Sequence, residues 1–299
     1  MEINVTYRVA RPLPDAQQAA WQTVLAEFTA EVPDPRKVEV VITDEYDKVV
    51  AEYMATEVDL AFDAALVSQY RADRADGARA AAKTSPQPDG KVVVVVGTRL
   101  AAQGLGSMRH CLLHEAQHVR LHQHGDAAHA VHRRVPFELP KSELTWEYLW
   151  FAQSTIDEFR CERTVHERGW TSRSNLNTAA DFASVVGVFQ KVHANHYRTR
   201  DLKDTHREAF GALMRMATVL GYGAAGLVTG VIPPGAWVQA PAMGMFVDVL
   251  EDLPGTDVVV PREDLADTSV EVAKRLRQLF NDMGFDYRYT PDGDWFAVA

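Results

Sequence analysis

The chain has 299 residues, 46% of them hydrophobic and 24% charged, with a formal net charge of −10. That composition is ordinary for a folded chain of one large domain or two modest ones, and the acidity argues against nucleic acid as a partner, because a phosphate backbone would repel it. Two cysteines, Cys111 and Cys161, leave no disulfide framework to expect, and the opening MEINVTYRVARPLP lacks a basic start followed by an apolar stretch, so a cytoplasmic location is expected.

In chain order, EINVTYRV alternates like a strand, and the run after Pro14 and Asp15 reads as a helix. VEVVITD (38–44) is a β-branched strand, followed by a long helix-forming stretch to residue 73. TSPQPDG (84–90) has loop composition, and KVVVVVG (91–97) reads as a strand buried on both faces. A helix should then run from about Gly104 to a stop at Gly125, with Ser107 as its cap. Residues 132–143 read as a loop, and a long helix with Ser142 as its cap follows, reaching about residue 170. Further helices are expected near 181–196, 204–220 and 268–284. The end of the chain, FDYRYT-PDG-DWFAVA, has the form of a β-hairpin.

Met216 to Val247 carries no charged residue. Its apolar part is shorter than the roughly 20 residues a bilayer requires and ends at Pro233-Pro234, so a buried helix or glycine-rich turn is expected there and not a membrane span. Gly221, Gly223 and Gly226 spell G-x-G-x-x-G. No strand precedes them and no βαβ unit follows, so they do not read as a nucleotide-binding turn.

Seven of the eleven histidines fall between residues 110 and 132. His114, Glu115 and His118 spell H-E-x-x-H on the helix that follows the strongest strand. Residues four apart share a helix face, so two imidazoles can bind one zinc ion. Zinc lowers the pKa of water towards neutrality. Glu115, beside the first ligand, can take the proton and pass it to a leaving amine.

The third ligand has several candidates. His124 gives the histidine spacing of the metzincin peptidases, but Leu121 occupies the position where those proteins turn on a glycine. If the helix runs on, His124 points about 120° away from the face of His118. Glu158, forty residues beyond His118, is favoured: it shares a helix face with Thr155 and Glu162 in TIDEFRCER. Glu162 itself, Asp157 and Cys161 are the remaining alternatives. With Glu158 as ligand, Glu162 becomes the carboxylate that orients a ligand imidazole.

H-E-A-Q-H followed by E-F-R-C-E resembles the gluzincin branch of zinc metallopeptidases. The order of a β-branched strand, a loop and R-H-C-L-L-H-E-A-Q-H is most similar to the small ImmA/IrrE-type peptidases, over roughly residues 35–170. Glu162 departs from the asparagine or aspartate commoner at that position. The resemblance implies a zincin-like α+β fold with His114, His118 and Glu158 as zinc ligands and Glu115 as general base. The expected function is zinc-dependent hydrolysis of a protein or peptide substrate. The alternative is a metal-binding regulatory or interaction protein of the same fold without protease activity.

The expected organisation is a zincin-like domain over 1–232, with an α/β half (1–125, a small sheet and the HExxH helix) and a mainly helical half (126–232). A small α+β segment (233–299) follows. Around the site, His110 and His122 read as solvated-face histidines, and His129 and His132 as loop residues. Cys111 and Cys161, each one turn from a proposed ligand, read as packing residues that can lie near each other. His196 and Tyr197, with His193 nearby, are the candidates by residue type for stabilising an oxyanion.

Overall fold

The computed structural model describes residues 2–57, 81–128, 144–237, 240–290 and 293–298. The chain divides into two compact units. One comprises Met1–Ala127 with Glu167–Asn175, the other Ala128–His166 with Leu176–Ala299. The fold is α+β: a small mixed sheet in the first unit, and mostly helix in the second.

In the first unit, strands β1 (Asn4–Arg8), β2 (Val38–Thr43), β3 (Ala82–Pro86) and β4 (Val92–Gly97) form a sheet of order β1-β2-β4-β3. β1, β2 and β4 are parallel, and β3 is an antiparallel edge strand on β4. Period-two alternation builds the core. Val38, Val40 and Ile42 pair with Val92, Val94 and Val96. That set joins Trp21 and Phe28 of α1 (Asp15–Glu31) and Leu112, Ala116 and Val119 of α3 (Leu105–His124) in one buried cluster. Val41, Val93 and Val95, on the other face, are buried too.

The expected loop at 84–90 is therefore in part a strand. Residues 84–86 complete β3, and a tight turn closes the hairpin, with Gln87 N–H donating to the Lys91 carbonyl at 2.8 Å and Gly90 at φ 81°. Loop composition marked the turn but hid the strand, because an edge strand need not be apolar. α2 spans Tyr46–Met54, and the rest of the helix expected to residue 73 lies largely outside the described residues. α3 begins one residue past Gly104, so Ser107 sits within its first turn and is not its cap; its hydroxyl pairs with that of Ser174 at 2.7 Å. Gly125 ends the helix in the left-handed region, at φ 72°.

In the second unit, α4 (Trp146–Glu167), α5 (Ala179–Thr199), α6 (Leu202–Val228), α7 (Ala242–Leu250), α8 (Arg262–Asp282) and the hairpin β5 (Phe285–Thr290)/β6 (Gly293–Val298) share one core. Thr178 and Asp181 form a reciprocal capping box at the start of α5, and Asp201 caps α6. Ser142, the expected cap of α4, lies outside the described residues. Phe210, Phe280 and Phe285 pack with ring centroids 5.1 and 5.3 Å apart, tying α6, α8 and the hairpin together. The boundary expected at 232/233 thus falls inside this unit, and residues 233–299 complete its core.

Of the described helices, one, α6, is long and apolar enough to cross a membrane, and 67% of its apolar window is buried inside the protein. The three glycines of G-x-G-x-x-G lie within it and serve close packing. A Cβ at Gly221 would meet the Thr155 carbonyl at 3.0 Å, one at Gly223 would meet Met243 at 2.5 Å, and one at Gly226 would meet Ile232 at 2.5 Å.

Candidate metal centre

The HExxH residues lie in the middle of α3, away from its fraying ends. Met108, Leu112, Ala116 and Val119 anchor one side of the helix in the core beneath the sheet. This fixes the azimuth of His114 and His118. Their Nε2 atoms converge to 3.1 Å, with the rings inclined at 70°. Two ligands at tetrahedral angles and zinc–nitrogen lengths of about 2.0–2.1 Å stand roughly 3.3 Å apart, so the pair has the spacing one small ion requires. His114 is buried and His118 half-buried.

Glu115 is held from the sheet. The Thr84 hydroxyl, on edge strand β3, donates to Glu115 Oε2 at 2.6 Å, and both residues are buried. The other carboxylate oxygen has no hydrogen bond among the described residues. One oxygen is thus pinned from the sheet. Sequence reading missed Thr84. The signal was a short segment, AKTSP, joined to the five-valine strand through a Pro-Asp-Gly turn.

Of the other histidines of the cluster, His110 has a structural role. His110 is buried and not solvated as expected: its Nδ1 accepts the Ser172 N–H at 3.1 Å. This contact helps hold residues 167–175 to the first unit, as do Asn175 Nδ2 with Cys111 Sγ at 3.1 Å and Arg168 with Glu31 at 3.1 Å. His122 is half-buried. His124 is exposed in the last turn of α3, which continues straight through Leu121 to Gly125 as the missing turn glycine implies. His129 and His132 lie outside the described residues.

In the second unit, Glu158 sits half-buried on α4, facing the close crossing with α6, where a Cβ at Gly221 would lie 3.7 Å from its own Cβ. α4 is fixed along its length. The buried Arg160 guanidinium donates to the carbonyls of Pro254, Gly255 and Val258, and Arg163 donates to those of Glu251 and Leu253. Asp157 accepts the Ala128 N–H at 2.7 Å. Glu162 is buried 3.4 Å from His166, one turn along. Cys161 is fully buried, and neither cysteine forms a disulfide among the described residues.

The oxyanion candidates have other partners. His196 Nδ1 and the Thr205 hydroxyl lie 3.0 Å apart across the α5–α6 turn, and the hydroxyl itself donates to the Asp201 carbonyl. Thr205 therefore accepts from His196. His193 Nε2 donates to the Met283 carbonyl at 2.7 Å. Tyr197 is exposed, with the Arg200 guanidinium 5.3 Å from its ring centroid.

No family model, no curated protein and no solved structure matches the chain. What defines its class is internal: an α+β protein with a paired-imidazole motif on a core helix and a carboxylate beside it, anchored from an edge strand.

Proposed function

We propose that the protein is a zinc-dependent peptidase of zincin type, with His114, His118 and Glu158 as metal ligands and Glu115 as general base. The observation that carries this reading is the donor set. One ligand atom each from His114, His118 and Glu158 lies within 4.8 Å of the other two. Two imidazoles and a carboxylate form the kind of three-ligand set that leaves a catalytic zinc one open position. Bound there, zinc would supply a Lewis acid and ease the deprotonation of water at neutral pH.

The chain's own residues would do the rest. Thr84, by donating to Glu115 Oε2, fixes the carboxylate's rotamer and leaves its second oxygen to accept a proton from the attacking water. Glu115 then returns that proton to the leaving amine. Glu162, on the face of α4 that carries Glu158, is the residue proposed to orient a ligand imidazole. The substrate class is a protein or peptide.

Metal analysis of the purified protein, together with hydrolysis of an unstructured protein such as casein, tests the proposal. One zinc per chain is expected, lost in His114→Ala and weakened in Glu158→Ala. Glu115→Gln should keep the metal and lose hydrolysis by about 10²–10⁴-fold. Full activity in Glu115→Gln, or no zinc in the native protein, refutes it. Loss of zinc in His124→Ala but not in Glu158→Ala would move the third ligand.

A further inference from the structure

Three parallel strands end together at one edge of the first unit's sheet: β1 at Arg8, β2 at Thr43 and β4 at Gly97. The chain leaves the first two toward opposite faces. From β1 it enters α1, whose Trp21 and Phe28 pack on the face of Val40, Ile42, Val94 and Val96. From β2 it enters α2, and Tyr46 of that helix covers the other face. A Cβ at Gly97, on the side of Val93 and Val95, would lie 3.6 Å from the Tyr46 Cβ. Neighbouring parallel strands whose connections diverge in this way leave a crevice beyond their carboxyl ends, and open α/β sheets bind their ligands in that crevice.

A cavity of about 350 Å³ lies at this edge. It is lined by Val9, Ala10, Arg11 and Leu13 after β1, Asp44 after β2 and Thr98 after β4. Its volume is near the lower end of the range of small-molecule sites, about 300–1,000 Å³, so its ligand is small.

The lining sets the chemistry. Asp44 is oriented by the Ala10 N–H, which donates to its Oδ2 at 2.9 Å. Arg11 and Asp44 are both exposed and carry opposite charges, yet they do not pair with each other. Neither has an ion-pair partner among the described residues. Two opposite charges that share a cavity without meeting are complementary to a ligand that carries both. Val9, Ala10 and Leu13 add an apolar wall.

We propose that this crevice binds a small zwitterion with an apolar side chain, of the chemical class of a free α-amino acid. The ligand carboxylate pairs with Arg11, whose planar fork matches it. The ammonium pairs with the Asp44 carboxylate, and the side chain lies on Val9 and Leu13. None of these residues takes part in the proposed metal chemistry, so the two readings stand or fall separately.

The test uses three probes. L-leucine carries both charges, N-acetyl-L-leucine lacks the ammonium, and L-leucinamide lacks the carboxylate. Binding to the full chain is titrated by saturation-transfer proton NMR. A saturable signal is expected with L-leucine. Each singly charged probe should bind the parent at least tenfold more weakly, about 1.4 kcal/mol. Arg11→Gln and Asp44→Asn should each weaken L-leucine by at least tenfold. Asparagine keeps an oxygen for the Ala10 N–H, and Arg11 makes no bond to lose, so both variants should fold, as circular dichroism checks. Charge matching adds a second expectation: N-acetyl-L-leucine should be insensitive to Asp44→Asn, and L-leucinamide to Arg11→Gln. The proposal fails if no saturable signal appears up to about 10 mM, or if Arg11→Gln binds L-leucine as the parent does. It also fails if N-acetyl-L-leucine binds as tightly as L-leucine, which would make the crevice an anion site. Tighter binding of ribose 5-phosphate than of L-leucine, lost in Arg11→Gln, would reassign it to a sugar phosphate and overturn the zwitterion.

Discussion

Replacing Gly226 by alanine tests the claim that the glycine motif in α6 exists for packing. The new methyl would stand 2.5 Å from Ile232 Cδ1, 2.7 Å from its Cγ1 and 3.4 Å from its Cβ, where relaxed carbon contacts are about 3.5–4.0 Å. Ile232 has little room to withdraw. It is buried, its own N–H donates to the Gly226 carbonyl at 2.9 Å, and its β-branched side chain is stiff at χ1. Overpacking of this kind costs about 1–3 kcal/mol. Alanine recovers up to about 1 kcal/mol of helix propensity, less this close to the helix end. A net loss of about 1–2 kcal/mol follows. Gly187 is the control. It lies inside α5, and a Cβ there would meet nothing within 4 Å, so Gly187→Ala should gain about 0.5–1 kcal/mol. Urea unfolding followed by far-ultraviolet circular dichroism should show midpoints displaced in opposite directions. If Gly226→Ala shifts the midpoint upward as Gly187→Ala does, the packing argument is wrong.

Three other perturbations have definite expectations. Thr84→Val removes the donor to Glu115, a hydrogen bond to a charged group worth about 1.5–3 kcal/mol; under the proposed mechanism kcat/KM falls about 10–100-fold with zinc content unchanged, and Thr84→Ser restores most of it. Gly125→Ala forces a side chain into the left-handed region at φ 72°, and a thermal melt should register a loss of about 1–2 kcal/mol. Burial raises the Tyr148 phenol above its ordinary value, reinforced by Asp286 and Glu147 and opposed by Arg277. Below the unfolded value of about 10 both states keep the proton. Above it the unfolded chain ionises first, so stability should fall as pH rises, and Tyr148→Phe should flatten that fall in alkaline unfolding curves.

What the sequence determined by itself is what neighbouring residues encode. The i, i+4 spacing put His114 and His118 on one helix face, Gly125 marked where that helix stops, the run of valines marked a doubly buried strand, and a Pro-Asp-Gly turn marked the final hairpin. Leu121 likewise told against a turn before His124. Each of these is settled within a few residues by backbone sterics and side-chain period. The tertiary structure decided what depends on distant pairing. Thr84 reaches Glu115 across 31 residues because β3 is an edge strand. His110 is buried because residues 167–175 return to the first unit. The glycines of α6 are explained by Ile232, Trp237, Met243 and Thr155, residues that their own motif does not name. A polar strand looks like a loop and a packing glycine looks like a ligand-binding one until their partners are in place, because burial and contact are properties of the folded chain, whereas periodicity is a property of the sequence.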